Sequence, residues 1–141
     1  AREKTQAWQA DAVLYQISAL GVGDDGRLTE STSSYWMYYF YSARTMQTYT
    51  VTVTDSVAGF EGAGNFRKAI EGDFVDSDKV MAEVKKNGFK PQGDISIFLA
   101  YDWVKPLGKM AFAWYVCDSK DPKSTRYYVD YKSGAFLGTS Q

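Results

Sequence analysis

Apolar residues recur at three- and four-residue intervals through Ala10, Val13, Leu14, Ile17 and Leu20, the spacing of one helix face. A helix is therefore expected over 5–20, ended by Gly21, which adopts the left-handed backbone at little cost. Val80, Met81 and Val84 form a second stripe of this kind. Ser77 stands before it as a cap, Asp78 lies in its first turn, Lys85 and Lys86 in its last, and Asn87-Gly88 follows.

Elsewhere the period is two. Tyr35 to Tyr41 places Trp36, Tyr38 and Phe40 on one side of a strand and Tyr35, Met37, Tyr39 and Tyr41 on the other, so both sides carry large rings. In Tyr49 to Thr54 the residues Tyr49, Val51 and Val53 alternate with three threonines, as for a sheet with one wet face and a helix over the valines. Further strands are expected over 94–101, 110–117 and 126–131. Asp118 to Lys123, with Asp121-Pro122, forms the hairpin loop between the last two. Lys132-Ser133-Gly134 then turns the chain into Ala135-Phe136-Leu137.

The chain also answers itself. Asp11, Val13, Leu14, Ile17, Gly21, Val22, Gly26 and Leu28 match Asp78, Val80, Met81, Val84, Gly88, Phe89, Gly93 and Ile95 at a constant offset. Trp36, Tyr38 and Phe40 match Phe112, Trp114 and Val116 at a slightly larger one. The expected fold class is α+β: two tandem repeats, each a helix followed by a three- or four-stranded antiparallel meander, with the helix packed on one sheet face. The first repeat is placed at 1–58 and the second at 77–141. Residues 59–76 form a glycine-rich connector with a short helical stretch over 65–70.

Composition narrows the function classes. The 141 residues are 45% hydrophobic and 23% charged, with 16 basic against 17 acidic side chains, so there is no net field to gather nucleic acid or anionic lipid. Histidine is absent, which removes the usual general base near neutral pH and the commonest metal ligand. Cys117 stands alone and reads as a small buried strand residue. No apolar run is long enough for a membrane-spanning helix. The start at Ala1-Arg2-Glu3, without methionine, leads us to expect a processed N-terminus and, with the aromatic content, an extracytoplasmic (periplasmic or secreted) protein.

The remaining motifs favour structure over chemistry. Asp24-Asp25-Gly26 lacks the spaced acids of a calcium loop and reads as a solvated turn. Asp118 and Asp121 read as a salt-bridged loop rather than an acid–base pair. Gly59, Gly62 and Gly64 lack the strand–loop–helix setting and Lys-Ser/Thr ending of a phosphate cradle. Ser77 and Lys79 offer no clear nucleophile–base spacing. No enzyme, cofactor or metal is expected.

The closing segment Tyr127-Tyr128-Val129-Asp130-Tyr131-Lys132-Ser133-Gly134-Ala135-Phe136-Leu137 resembles the end of a PepSY-like, or more broadly cystatin-like, domain. Phe74-Val75-Asp76-Ser77 and the helix ending in Asn87-Gly88-Phe89 are similar to the start of one. With the first copy included, the resemblance spans most of 7–138 as a tandem pair. It departs at Thr52, where the second copy has Asp130, and at the looser turn Ser56-Val57-Ala58-Gly59. It implies a non-enzymatic extracytoplasmic domain, of a kind often associated with peptidase regulation. The helix-plus-sheet tandem also resembles the β-lactamase inhibitor proteins, in which a sheet surface grips an enzyme, although their disulfides cannot form here.

With 11 tyrosines and 4 tryptophans, the aromatic surplus is the remaining functional signal. Tyr35, Tyr39 and Tyr41, with Tyr101 and Trp103, are the candidate binding residues for a protein or peptide, including an enzyme to be restrained. Three other readings stay open: an apolar-ligand carrier, a structural envelope subunit, and burial of both aromatic rows where sheets stack or a homodimer forms through the 35–41 strand.

Overall fold

The computed structural model describes residues 1–29, 34–62 and 65–141. In chain order it contains α1 (Arg2–Trp8), β1 (Val13–Val22), β2 (Tyr35–Ser42), β3 (Gln47–Val53), β4 (Val57–Glu61), α2 (Ser77–Lys86), β5 (Ile95–Val104), β6 (Lys109–Asp118), β7 (Tyr127–Asp130) and β8 (Phe136–Thr139). A 3₁₀ turn, Lys105–Leu107, joins β5 to β6. All eight strands belong to one antiparallel sheet in the order β4-β3-β2-β1-β5-β6-β7-β8.

This overturns the expected pair of helix-plus-meander repeats. A single sheet crosses both halves, because β1 bonds β2 along one edge and β5 along the other. The helix expected over 5–20 is the source of the error: α1 stops at Trp8, and Val13–Val22 is the central strand. Ile17 and Ala19 are buried in alternation under α2 and the bulged Tyr15 is buried on the opposite face against Phe66, whereas Val13 and Leu20 of the supposed helical stripe are 40% and 38% exposed. A register shift between Leu14 and Gln16 inserts one extra residue, which makes a strand pattern imitate helical spacing. The constant offset that matched 11–28 to 78–95 therefore equates a strand with α2.

α2 forms where its stripe predicts, and Val80, Met81 and Val84 are fully buried. Its cap is Asp76 rather than Ser77: the Asp76 carboxylate accepts the Ser77 amide at 2.7 Å. Ser77 Oγ instead donates to the Gly26 carbonyl at 2.8 Å, which holds the β1–β2 hairpin against the helix start. Gly26 has φ +78°, and a Cβ there would lie 2.6 Å from the Ser77 carbonyl group. The position takes only glycine.

One face of the sheet carries both helices. Under α2 lie Ile17, Ala19, Ile95, Ile97, Leu99, Trp114, Val116 and Val129, with Trp36 and Tyr38 at the margin. α1 covers the β3–β4 end of the same face: Trp8 stacks on Tyr49 at 4.8 Å and 12°, and its Nε1 donates to Glu61 at 3.0 Å. Residues 65–76 wrap round one end of the strands. The Ile70 amide donates to Leu14 O and the Val75 amide to Tyr131 O, while Trp114 Nε1 donates to Val75 O. No helical turn forms over 65–70, and the boundary expected after residue 58 falls within β4. Gly64 lies outside the described residues. Among the described residues, no helix is long and apolar enough to cross a membrane.

Met81→Ala should lower unfolding free energy by about 2–5 kcal/mol in a denaturant titration, since its cavity cannot collapse under the helix. Leu20→Ala should cost less than about 1 kcal/mol.

Candidate functional site

The sheet face turned away from the helices carries a row of large half-buried side chains. Strand alternation sends Tyr35, Met37, Tyr39 and Tyr41 there from β2, and register places Leu20 beside Tyr35, Ser18 beside Met37 and Gln16 beside Tyr39. All four β2 residues are half-buried. The threonine side of β3 shares this face, but Thr50 is fully buried and donates from Oγ1 to Gly62 O at 3.0 Å, so the face is not uniformly wet. Towards β8 a small cluster of Val104, Ala113, Tyr115 and Tyr128, with Phe98 and Leu137 against it, covers the sheet with its own side chains.

The wrapping segment crosses the lower end of this face and makes a pocket there. Phe66 stacks on Tyr41 at 4.0 Å and 3° and meets Tyr15 edge-on at 5.6 Å. Such ring pairs contribute about 0.5–1.5 kcal/mol beyond area burial. The pocket has a volume of about 300 Å³ and is walled by Tyr15, Gln16, Ala100, Tyr101, Asp102 and Tyr115 from the sheet and by Asn65, Arg67 and Lys68 from the segment. Asp102 is paired with Arg126 at 3.3 Å, and the Arg126 guanidinium lies 4.5 Å over the Tyr115 ring. Lys68 Nζ stands 5.4 Å from the centre of the Tyr101 ring. With the one carboxylate neutralised by Arg126, Arg67 and Lys68 leave the pocket mouth positive.

The candidate residues thus separate. Tyr35, Tyr39 and Tyr41 share the helix-free face, and Tyr41 reaches the pocket through Phe66. Tyr101 lies opposite Phe112 in the sheet and is itself one of the residues that line the pocket. Trp103, 53% exposed, alternates to the helix side near the end of β5 and joins neither group. β2 is an interior strand with both edges bonded, so a homodimer through 35–41 has only its face to use. The pocket residues Tyr15, Gln16, Arg67, Lys68, Asp102 and Tyr115, with Arg126 paired to Asp102, were missed from the sequence. Tyr15 was hidden in the supposed helix, and Phe66-Arg67-Lys68, a ring beside two cations in a glycine-rich stretch, was the one legible sign of a contact segment.

The motifs set aside in the sequence have structural duties. Asp118 accepts the amides of Gln92, Gly93 and Lys120, and Asp121 those of Lys123 and Thr125, so backbone amides rather than lysine side chains organise this loop. Those amide bonds hold the Asp118 carboxyl below its usual range, chiefly through Gln92. The Asp25 carboxylate accepts the Arg27 amide within its own turn. No cluster of three or more potential metal ligands occurs among the described residues. Burial raises the Cys117 thiol, which is half-buried in β6.

No family model, curated protein or solved structure matches this chain. The site is therefore read from its own chemistry.

Burial pushes the Tyr15 and Tyr115 hydroxyls up to about 12, with Tyr39 adding to the rise at Tyr15 and Arg126 opposing it at Tyr115. The stability these groups contribute is fully present below the unfolded tyrosine value of about 10 and is lost as pH rises through about 12. Alkaline unfolding followed by circular dichroism should show this loss. The double variant Tyr15→Phe/Tyr115→Phe should flatten it.

Proposed function

We propose that this chain is a non-enzymatic, extracytoplasmic binding module that engages a protein or peptide through the helix-free sheet face. The observation that carries the reading is the continuity of the half-buried row Tyr35, Met37, Tyr39 and Tyr41, through the Phe66 stack, with a positively rimmed pocket. Rigid rings supply contact area at low entropic cost, and a concave charged end fixes orientation. Arg67 and Lys68 suit an acidic side chain or a C-terminal carboxylate of the partner. Restraint of an enzyme such as a peptidase, and the location outside the cytoplasm, are what the PepSY-like resemblance of 127–137 adds. An apolar-ligand carrier has one observation in its favour, a cavity of about 300 Å³ between the α2 start at Asp76-Ser77 and Ile17, Trp36, Tyr38 and Trp114 of the sheet, while Val80, Met81 and Val84 fill the space under the rest of the helix.

The test is capture of partners from the native extracellular fraction, followed by titration of the partner obtained. Tyr39→Ala/Tyr41→Ala should weaken binding at least about tenfold, and Arg67→Glu/Lys68→Glu should weaken it and reverse its salt dependence. Trp103→Ala, on the other side, should leave it unchanged. Unchanged affinity in both double variants would reject this face.

A further inference from the structure

The two edges of the sheet differ. β8 is short and interrupted: a register shift breaks its pairing with β7, Pro106 of the 3₁₀ turn packs on its face so near Gly138 that a Cβ there would lie 2.9 Å from it, and Lys105 Nζ donates to Ser140 O at 2.8 Å just past its end. Bulges, prolines and lysines of this kind keep edges from pairing. β4 has none of them. It reads Val57-Ala58-Gly59-Phe60-Glu61, with Val57 43% and Phe60 45% exposed.

The phase of the β3–β4 ladder shows which backbone groups are free. The Thr54 amide donates to Ser56 O and the Gly62 amide to Thr48 O, each at 2.9 Å. Hydrogen-bonded pairs recur at every second residue of an antiparallel ladder, so Ser56, Ala58, Phe60 and Gly62 face β3. The N–H and C=O groups of Val57, Gly59 and Glu61 point out of the sheet, centred on Gly59.

We propose that β4 pairs antiparallel with β4 of a second copy of this chain, about a twofold axis at Gly59. In that register Gly59 exchanges both backbone bonds with Gly59 of the second copy, and Val57 does so with Glu61 of the second copy. The outward groups satisfy one another without slippage. Phe60 falls opposite Ala58, a large ring against a small residue, on the helix-free face. Glu61, the only charged residue of the strand, falls opposite Val57, and its carboxylate is already held by Trp8 Nε1. Gly59 cannot carry a side chain here, because a Cβ would lie 2.1 Å from the Tyr49 hydroxyl, so nothing obstructs the central pair.

A twofold between antiparallel strands stands perpendicular to the sheet, so both copies turn their helix-free faces the same way. The dimer is a doubled sheet bearing two aromatic rows on one face, with β3 and β4 of each copy between them. A five-residue edge buries far less than a standard interface of about 1,600 Å², so the association is weak.

Sedimentation velocity of the full chain between about 10 µM and about 1 mM should show a monomer–dimer equilibrium. Val57→Pro removes an outward N–H and spares the β3 ladder, and should weaken association at least about tenfold. In a Cys117→Ser background, oxidising a mixture of Ala58→Cys and Phe60→Cys chains should cross-link them, whereas Ala58→Cys alone should cross-link poorly. A chain that stays monomeric at about 1 mM, association unchanged by Val57→Pro, or equal cross-linking by Ala58→Cys alone would each overturn the proposal. None of these readouts depends on the binding partner of the helix-free face.

Discussion

The antiparallel contact of β1 with β5 is the constraint on which the rest of the molecule depends. Ile17 lies opposite Leu99 across this seam, and both are buried on the helix face between Tyr38 and Trp114 of the flanking strands. Four strands with one short helix would expose the edge of a small sheet and leave its apolar side half covered. Joining the halves at β1 and β5 removes two edges at once. It also sets Ala19, Ile97 and Val116 in one continuous patch under α2.

Covering only one side determines what the other side can do. Both helices lie on the face that holds Trp114 and Val51, so the opposite face must shield itself. Over β5–β8 it does so by packing Tyr115, Tyr128 and Val104 together. Over β1 and β2 it relies on Phe66 from the wrapping segment, which covers Tyr41 and Tyr15 and stops before Tyr35 and Tyr39. The accessible rings and the pocket are thus products of one incomplete cover. The polar atoms nearby are placed with economy: Ser18 Oγ and the Tyr39 hydroxyl lie 3.5 Å apart, and Asp102 is matched by Arg126.

Legibility followed how local the determining forces were. α2 was readable because its stripe, acidic first turn and basic last turn all lie within ten residues, and β2, β3 and β5–β7 because alternation is visible in each strand alone. β4 was divided between a loose turn ending the first repeat and the connector from 59 on, since Val57-Ala58-Gly59-Phe60 has a glycine where the Tyr49 ring needs room. β1 was misread because a bulge at Tyr15 shifted its phase, and because Ala19 and Ile17 suit a helix as well as a strand buried on one face. The aromatic row at 35–41 was evident as a pattern. Its meeting with Arg67 and Lys68 was not, as those residues are brought to the same end of the sheet only by the wrapping segment.

The chain by itself determined the local elements with a strong period, the absence of histidine and of an intrachain disulfide from these residues, and the two-sided aromatic character of β2. Only the tertiary structure decided that the strands form one sheet, which aromatic row joins the core and where the pocket lies. The reason is physical. Periodicity records which side of an element is apolar, but the side that is finally buried depends on which neighbour arrives to cover it.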